Sequence, residues 1–390
     1  MDLLSKRFLH THMRIANRRL VLEKIIGSDE ISRVALAKST GLTKATVSAI
    51  VADLIDDGLV VELGSGITAR GRKPIMLKFA ERSGIAAGVS IDADEIEIVV
   101  TDLYGTVLLE ENIEITGCTP EKAVRIISSN LDRLAGRCGR SRYSLTGIGC
   151  AIPGIVDNRG IVVNAPYIRW QNVNFSEMLN KKTGVPVFCE NVANMLTVAE
   201  IMHFPNEKAA ICLRIRSGIR AGIIINGEIY TGGDGFAGEV GHMQVEPDGL
   251  PCACGQTGCW ETRASERALR KSLVDSGFAP GTRTDYHVEA NELSGNIFHE
   301  YARWLATGIV SLINMFNPVN IMLNSPMISS NDSILSLLNQ ELERRLTPLS
   351  FSSCRIELST ARRNAASIGA AVSAADRFIS RMASIRREHE

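Results

Sequence analysis

Residues 238–261 read GEVGHMQVEPDGLPCACGQTGCWE. Between positions 242 and 259 this stretch gathers His242, Cys252, Cys254 and Cys259, and acidic residues flank the group at Glu239 and Glu261. Three thiols and one imidazole are the donor set of a four-coordinate structural zinc site. Gly249, Gly255 and Gly258 give so short a loop the backbone freedom to fold back on a metal. The competing reading is a reduced, partly buried cysteine cluster, because an unligated Cys packs as a small hydrophobe. The C-x-C-x4-C spacing with an upstream His favours structural Zn2+.

GEVGH followed by CACGQTGCWE also resembles the signature of the ROK family (repressors, open reading frames and sugar kinases). The resemblance implies that the metal loop forms one wall of a sugar pocket, with Glu239, His242 and Glu261 contacting sugar hydroxyls. His242 then works twice, one ring nitrogen on the metal and the other towards the sugar, as the free nitrogen of a ligating His is normally engaged. On the bland reading, Glu239 and Glu261 only brace the loop.

A chain of 390 residues is long enough for two or three domains. With 45% hydrophobic and 22% charged residues it can bury sizeable cores. The formal net charge is zero, but residues 1–80 carry 13 basic and 8 acidic side chains, so a basic beginning precedes an acidic body. That asymmetry suggests nucleic-acid contact. No apolar run reaches the length of a membrane span, and the opening residues, MDLLSKRFLHTHMR, hold no signal-peptide core. Nine cysteines without regular spacing outside the loop read as reduced thiols in a cytoplasmic protein.

Residues 17–26 read as a helix. In ISRVALAKSTGLTKATVSAIVADLIDDGLV, residues 31–60, Ser32 caps a short helix, Gly41 sits at a tight turn and Thr43 caps a second helix. Val47, Ile50, Val51, Leu54 and Ile55 recur at helical spacing, while Thr43, Lys44, Thr46 and Ser48 open the other face. This is a helix-turn-helix whose second helix would place those polar residues in a major groove. A plain helical hairpin for protein contacts is the alternative. Strands at 60–63 and 75–79 enclose GSGITARGRKP, whose Arg70, Arg72 and Lys73 form a basic tip suited to phosphates or a narrow minor groove. Together they predict a winged helix over residues 1–80, which resembles the N-terminal domain of ROK repressors.

From residue 81 the pattern becomes α/β. Strands near 85–91, 95–103 and 106–115, a helix over 120–137 and a strand at 146–152 begin one lobe of a ribonuclease-H/actin-like fold. Strands at 185–189, 209–215 and 221–229 and helices near 297–316, 332–346 and 363–383 complete a two-lobed body. The division expected is lobe one over about 81–198 plus the C-terminal helix, and lobe two over about 199–370 with the metal loop.

The ROK resemblance also says what a kinase would need. A glycine-rich DxGGT loop is replaced by SIDADEI (90–96), a GTGxGxG run by RIRSGIRAG (214–222), and a glycine pair by Asn324-Ser325-Pro326. The ENDxN motif, whose Asp is the base, reads Glu190-Asn191-Val192-Ala193-Asn194. Backbone N–H groups reach a phosphate only where side chains are absent, and valine cannot accept a proton. Asn191 still matches the family's sugar-contacting Asn, and Gly154 with residues 164–170 should form the opposite wall. The expectation is therefore a non-enzymatic, sugar-controlled repressor that binds operator DNA as a homodimer or homotetramer, because one recognition helix reads too few base pairs. Its rivals are an ATP-dependent sugar kinase and a regulator controlled by a partner protein with no sugar ligand.

Overall fold

The computed structural model describes residues 3–64, 67–68, 71–72, 74–202, 207–278, 288, 291–359 and 364–384. Helix α1 (Leu3–Ile26) is longer than expected, and no Gly or Pro interrupts it. A two-residue β1 (Ile31–Ser32) leads into α2 (Arg33–Thr40), then α3 (Lys44–Asp56). Ser32 Oγ accepts from Ala35 N at 3.2 Å and Thr43 Oγ1 from Thr46 N at 3.1 Å, so both caps form as the side chains dictate. Gly41 adopts φ +70° between the two helices.

Strands β2 (Val60–Leu63) and β5 (Met76–Phe79) pair antiparallel, with a small hairpin of β3 (Ile67–Thr68) and β4 (Gly71–Arg72) between them. Arg70 and Lys73 lie outside the described residues. Val21, Leu22, Ile25, Leu36, Val47 and Leu54 are buried at the centre of this winged helix.

The body contains two sheets built to one plan. Strands β6 (Ile85–Ile91), β7 (Glu95–Asp102) and β8 (Val107–Glu114) precede α4 (Pro120–Arg137) and β9 (Leu145–Ile152). A small three-stranded sheet, β10 (Ile155–Val156), β11 (Val162–Ala165) and β12 (Trp170–Val173), is followed by α5 (Phe175–Thr183), β13 (Val187–Asn191) and α6 (Val192–Ile201). The first large sheet runs β13-β9-β6-β7-β8.

The second half has β14 (Ala209–Ile215), β15 (Ile219–Ile225) and β16 (Glu228–Ile229), then α7 (Glu261–Ala264), α8 (Glu266–Asp275) and α9 (Glu292–Phe316). There follow β17 (Asn320–Asn324), α10 (Pro326–Ser329), α11 (Asp332–Arg345), α12 (Pro348–Ser353), β18 (Arg355–Leu358) and α13 (Ala365–Ser384). Its sheet runs β16-β15-β14-β17-β18. In each sheet the first three strands are an antiparallel meander and the next two add in parallel beside the first, so the lobes repeat one topology. One sequence-level expectation needs correction: 221–229 is not one strand. Asn226 and Gly227 take φ +56° and +83°, the conformation of a tight hairpin turn, and the chain reverses there.

Helices α6 and α13 lie between the sheets. The approach of α13 is close because β6 and β9 present glycines to it. A Cβ on Gly88 would fall 1.7 Å from the Ser367 carbonyl oxygen, and one on Gly149 would fall 2.2 Å from that of Ala370. Further along, Ala374, Phe378 and Met382 of α13 join the same core as Val21, Leu22 and Ile25 of α1. The winged helix is also held by Tyr143, whose hydroxyl donates to the Asp57 carbonyl at 2.5 Å and whose ring meets Phe378 edge-on at 5.0 Å. One helix therefore touches both the winged helix and the middle of the body. Gly88→Ala should drive a methyl into the α13 backbone and destabilise the protein by roughly 1–3 kcal/mol, seen as a lowered chemical-denaturation midpoint. An unchanged midpoint would mean that α13 is free to shift.

Candidate metal centre and ligand cleft

The metal loop is built by backbone reversal before any metal is considered. Val245 N donates to Gly258 O at 2.9 Å, Gly258 N to Leu250 O at 2.9 Å, and Cys252 N to Gln256 O at 2.8 Å. Gly258 takes φ +71°, and a Cβ there would sit 1.6 Å from the Glu246 carbonyl oxygen, so only glycine closes this turn. The result gathers His242, Cys252, Cys254 and Cys259 so that one ligand atom from each lies within 4.8 Å of all the others. Cys254 Sγ and Cys259 Sγ are 3.6 Å apart, as are Cys252 Sγ and His242 Nδ1. Metal–sulfur bonds of ~2.3 Å at tetrahedral angles put the ligand atoms about 3.7 Å apart. The four donors thus fit a tetrahedral metal ion.

The acidic residues continue from this centre. His242 turns Nε2 towards Glu239 Oε2, 3.7 Å away, while Glu239 Oε1 accepts from Arg220 Nη1 at 3.2 Å and from Asn191 Nδ2 at 3.4 Å. Glu239 Oε2 is buried and has no hydrogen-bond partner. A carboxylate oxygen left so is expensive unless a further donor arrives. Cys252 Sγ stands 3.3 Å from Glu261 Oε1, and a Cβ on Gly218 would meet Glu261 Oε2 at 2.6 Å. Asn191, Glu239, His242 and Glu261 therefore form one connected group. Asn191 is fixed further by donating to Gly154 O at 2.8 Å and by capping α6 through Ala193 N at 2.7 Å.

Beside this group opens an interlobe cleft of about 710 Å³. Val192 lies on its lining at the first turn of α6, 2% exposed and packed with Ala151, Met195 and Ala370. The preceding Glu190 accepts from Asn191 N at 2.7 Å and Asn194 Nδ2 at 3.1 Å, and burial pushes its carboxyl above the usual range. Of residues 164–170, expected as the opposite wall, Tyr167 reaches the cleft lining and Trp170 does not. Trp170 points into the core, donating from Nε1 to Cys118 O at 2.5 Å and packing on Phe175 at 4.8 Å. Its β12 position alternates inward, where a large ring fills the space between sheet and helix. Arg169 is exposed, and Tyr167 lines the cleft instead. Tyr167 lies inside the stretch expected from the sequence without being singled out there, and periodicity holds no signal for it, because the loop turns through Arg169 at φ +57°.

The residues expected from the sequence to enter a major groove sit together at the start of α3. Thr43, Lys44 and Ser48 are exposed and Thr46 is half-buried, its Oγ1 2.9 Å from that of Thr43. Arg72 belongs to the β3–β4 hairpin.

Comparison with known proteins places this geometry. The ROK family profile matches residues 86–377. The chain belongs to the ROK family. The xylose repressor of Bacillus spizizenii is 33% identical over 367 residues, spanning 92% of this chain and 94% of that protein. A crystal structure of a ROK family transcriptional regulator, a homologue of the Escherichia coli Mlc protein, superposes with a TM-score of 0.82 at 24% identity, covering 96% of this chain and 99% of that one. The ROK glucokinase of Streptomyces griseus, crystallised with glucose and AMPPNP, gives 0.61 at 25% identity and covers 74% of this chain and 98% of the kinase. No described helix is long and apolar enough to cross a membrane.

Within the ROK body, the turns at 90–96, 214–222 and 324–326, expected from the sequence to replace phosphate loops, use backbone groups internally. Asp92 N donates to Glu95 O at 2.8 Å and Ala93 N to Asp92 Oδ1 at 2.8 Å, closing the β6–β7 turn. Arg216 N donates to Gly218 O at 2.9 Å between β14 and β15. Ser325 caps α10 through Ile328 N and donates to Glu266 Oε1 at 2.7 Å, and Pro326 follows without an N–H.

Elemental analysis of protein purified without added metal should find one bound metal ion per chain. Cys259→Ala should lose it and lower the melting temperature, whereas folded wild-type protein free of any metal would contradict the donor geometry.

Proposed function

We propose that this ROK protein is a transcriptional repressor in which residues 1–80 bind operator DNA and residues 81–390 sense a sugar. Structural Zn2+ on His242, Cys252, Cys254 and Cys259 holds the wall that presents Glu239, His242 and Glu261, with Asn191, to sugar hydroxyls. The observation that carries this reading is coverage. The alignment with the xylose repressor spans 92% of the chain, more than the body alone provides, whereas the glucokinase match spans 74%. Xylose is accordingly the first sugar to test.

The same reading makes the cleft a sensor without kinase activity. Val192 offers no base, and losing a general base alone lowers a rate by about 10²–10⁴. A triphosphate would find the turn at Asp92, Asp94 and Glu95 acidic, with its backbone donors at Asp92 and Ala93 already engaged. Thr43, Lys44, Thr46 and Ser48 are assigned to the major groove, and Arg70, Arg72 and Lys73 to the wing contact. A homodimer or homotetramer follows from the need to pair recognition helices on two half-sites. A sugar that favours one arrangement of the lobes shifts the equilibrium between states of different operator affinity.

Gel shifts on the protein's own promoter, with and without xylose or other sugars, test the assignment. Lys44→Ala should weaken specific binding by about 1–3 kcal/mol. Glu239→Ala should remove the sugar response while leaving sugar-free operator binding intact, provided the bound metal is retained. Val192→Asp should not create ATP turnover. Sugar-dependent ATP hydrolysis by the unmodified protein would overturn the non-enzymatic reading.

A further inference from the structure

The residues that replace the second phosphate loop are basic as well as bulky. Arg214 is the penultimate residue of β14, Arg216 lies in the turn and Arg220 faces Arg214 across the β14–β15 ladder. All three line the cleft, together with Arg270 of α8. Three guanidinium groups at the end of one hairpin repel one another. Burial and the neighbouring Arg216 bring Arg214 down to about 10, with Arg220 acting in the same direction.

Three carboxylates near the hairpin arginines, Asp92, Glu266 and Glu239, engage them only in part. Asp92, from the other lobe, stands 3.8 Å from Arg214 Nη2, beyond hydrogen-bond length. Glu266 is 3.6 Å from Arg216 Nη1 and is already engaged by Ser325 Oγ at 2.7 Å and Met327 N at 3.0 Å. Glu239 is the only one of the three within hydrogen-bond reach of its arginine, accepting from Arg220 at 3.2 Å. Arg216 Nη1 is buried without a hydrogen-bond partner. Buried donors are normally satisfied, and one that is not calls for an explanation.

We propose that Arg214 and Arg216, with Arg220 and Arg270 beside them, form a binding site for the phosphoryl group of a small phosphorylated metabolite. Guanidinium forks replace the backbone N–H groups that a kinase phosphate loop would supply, and they suit the planar spread of phosphoryl oxygens. Charge is largely segregated in the cleft: the arginines and Glu266 belong to lobe two, while Asp92, Asp94, Glu95 and Glu97 belong to lobe one. That acidic wall selects a monoester over a triphosphate, because added negative charge on the ligand meets it directly. Arg220 also bonds Glu239 of the sugar-contacting group, so a phosphorylated sugar can span both sets of residues. The regulatory meaning of the site rests on the sensing role proposed above.

Thermal melts of the full chain at constant ionic strength test this. Inorganic phosphate at about 10 mM should raise the melting temperature by about 2 °C over chloride, and ribose 5-phosphate should do so as well. ATP should stabilise less than either. Stronger stabilisation by ribose 5-phosphate than by phosphate assigns sugar and phosphoryl group to one ligand; equal stabilisation assigns an independently bound anion. Arg216→Gln should abolish the shift and Arg216→Lys should retain part of it. No phosphate-specific shift in the wild type, or a full shift in Arg216→Gln that still binds its promoter, would discard the site and leave the repressor assignment untouched.

Discussion

The close seating of α13 on the first large sheet is the contact on which the arrangement depends. Gly88 and Gly149 leave no room for a side chain between strand and helix, so the helix backbone rests directly on the sheet. Packing of this kind resists continuous deformation, and interiors respond to strain by moving as units. At its start α13 brings Ala366 to the cleft lining, and four turns later it buries Phe378 and Met382 against the winged helix. A change in lobe separation that tilts this helix is felt at α1. On the proposed function, this helix and the cores at its two ends are the contact through which ligand and operator sites would be coupled.

The cleft shows how one body can change occupation without changing fold. On the proposed reading, the two sheets need not alter for phosphate-binding turns to give way to self-satisfied hairpins and caps, since those turns lie at strand ends. Replacing backbone donors with arginines changes what the site can hold, from a nucleotide clasped by N–H groups to an anion gripped by side chains. Valine at the start of α6 offers no proton acceptor and packs with Ala151 and Ala370. The metal centre stands apart from these changes, fixed by its own turns.

Much of this was legible in the sequence because local rules and tertiary structure agree. Ser32, Thr43 and Gly41 specify their caps and turn by short-range chemistry, and all three form. The run 120–137 carries a Pro-Glu start and an amphipathic period, and α4 occupies those residues. The His/Cys cluster was legible because the spacing alone confines four donors to one loop. What the sequence did not disclose depends on long-range placement. Trp170 resembles a pocket residue by position, and only its register on β12 sends it into the core. Tyr167 enters the cleft through an irregular loop with no period to read. The Asn226-Gly227 pair carries a turn signal that the reading of 221–229 as one strand overlooked. The pairing of three arginines with three partly engaged carboxylates could not be read at all, since Asp92, Glu239 and Glu266 come from distant segments.

The central claim is that sugar binding and operator binding are linked through one chain. Linkage requires the coupling to be reciprocal, with regulatory couplings typically changing affinity about 5–150-fold. The most direct measurement is therefore calorimetric titration of xylose, or of whichever sugar alters the gel shift, into the free protein and into the protein saturated with its operator. The account predicts two different affinities, in the same ratio as the operator affinities measured without and with the sugar. Equal sugar affinities in the two titrations would contradict it.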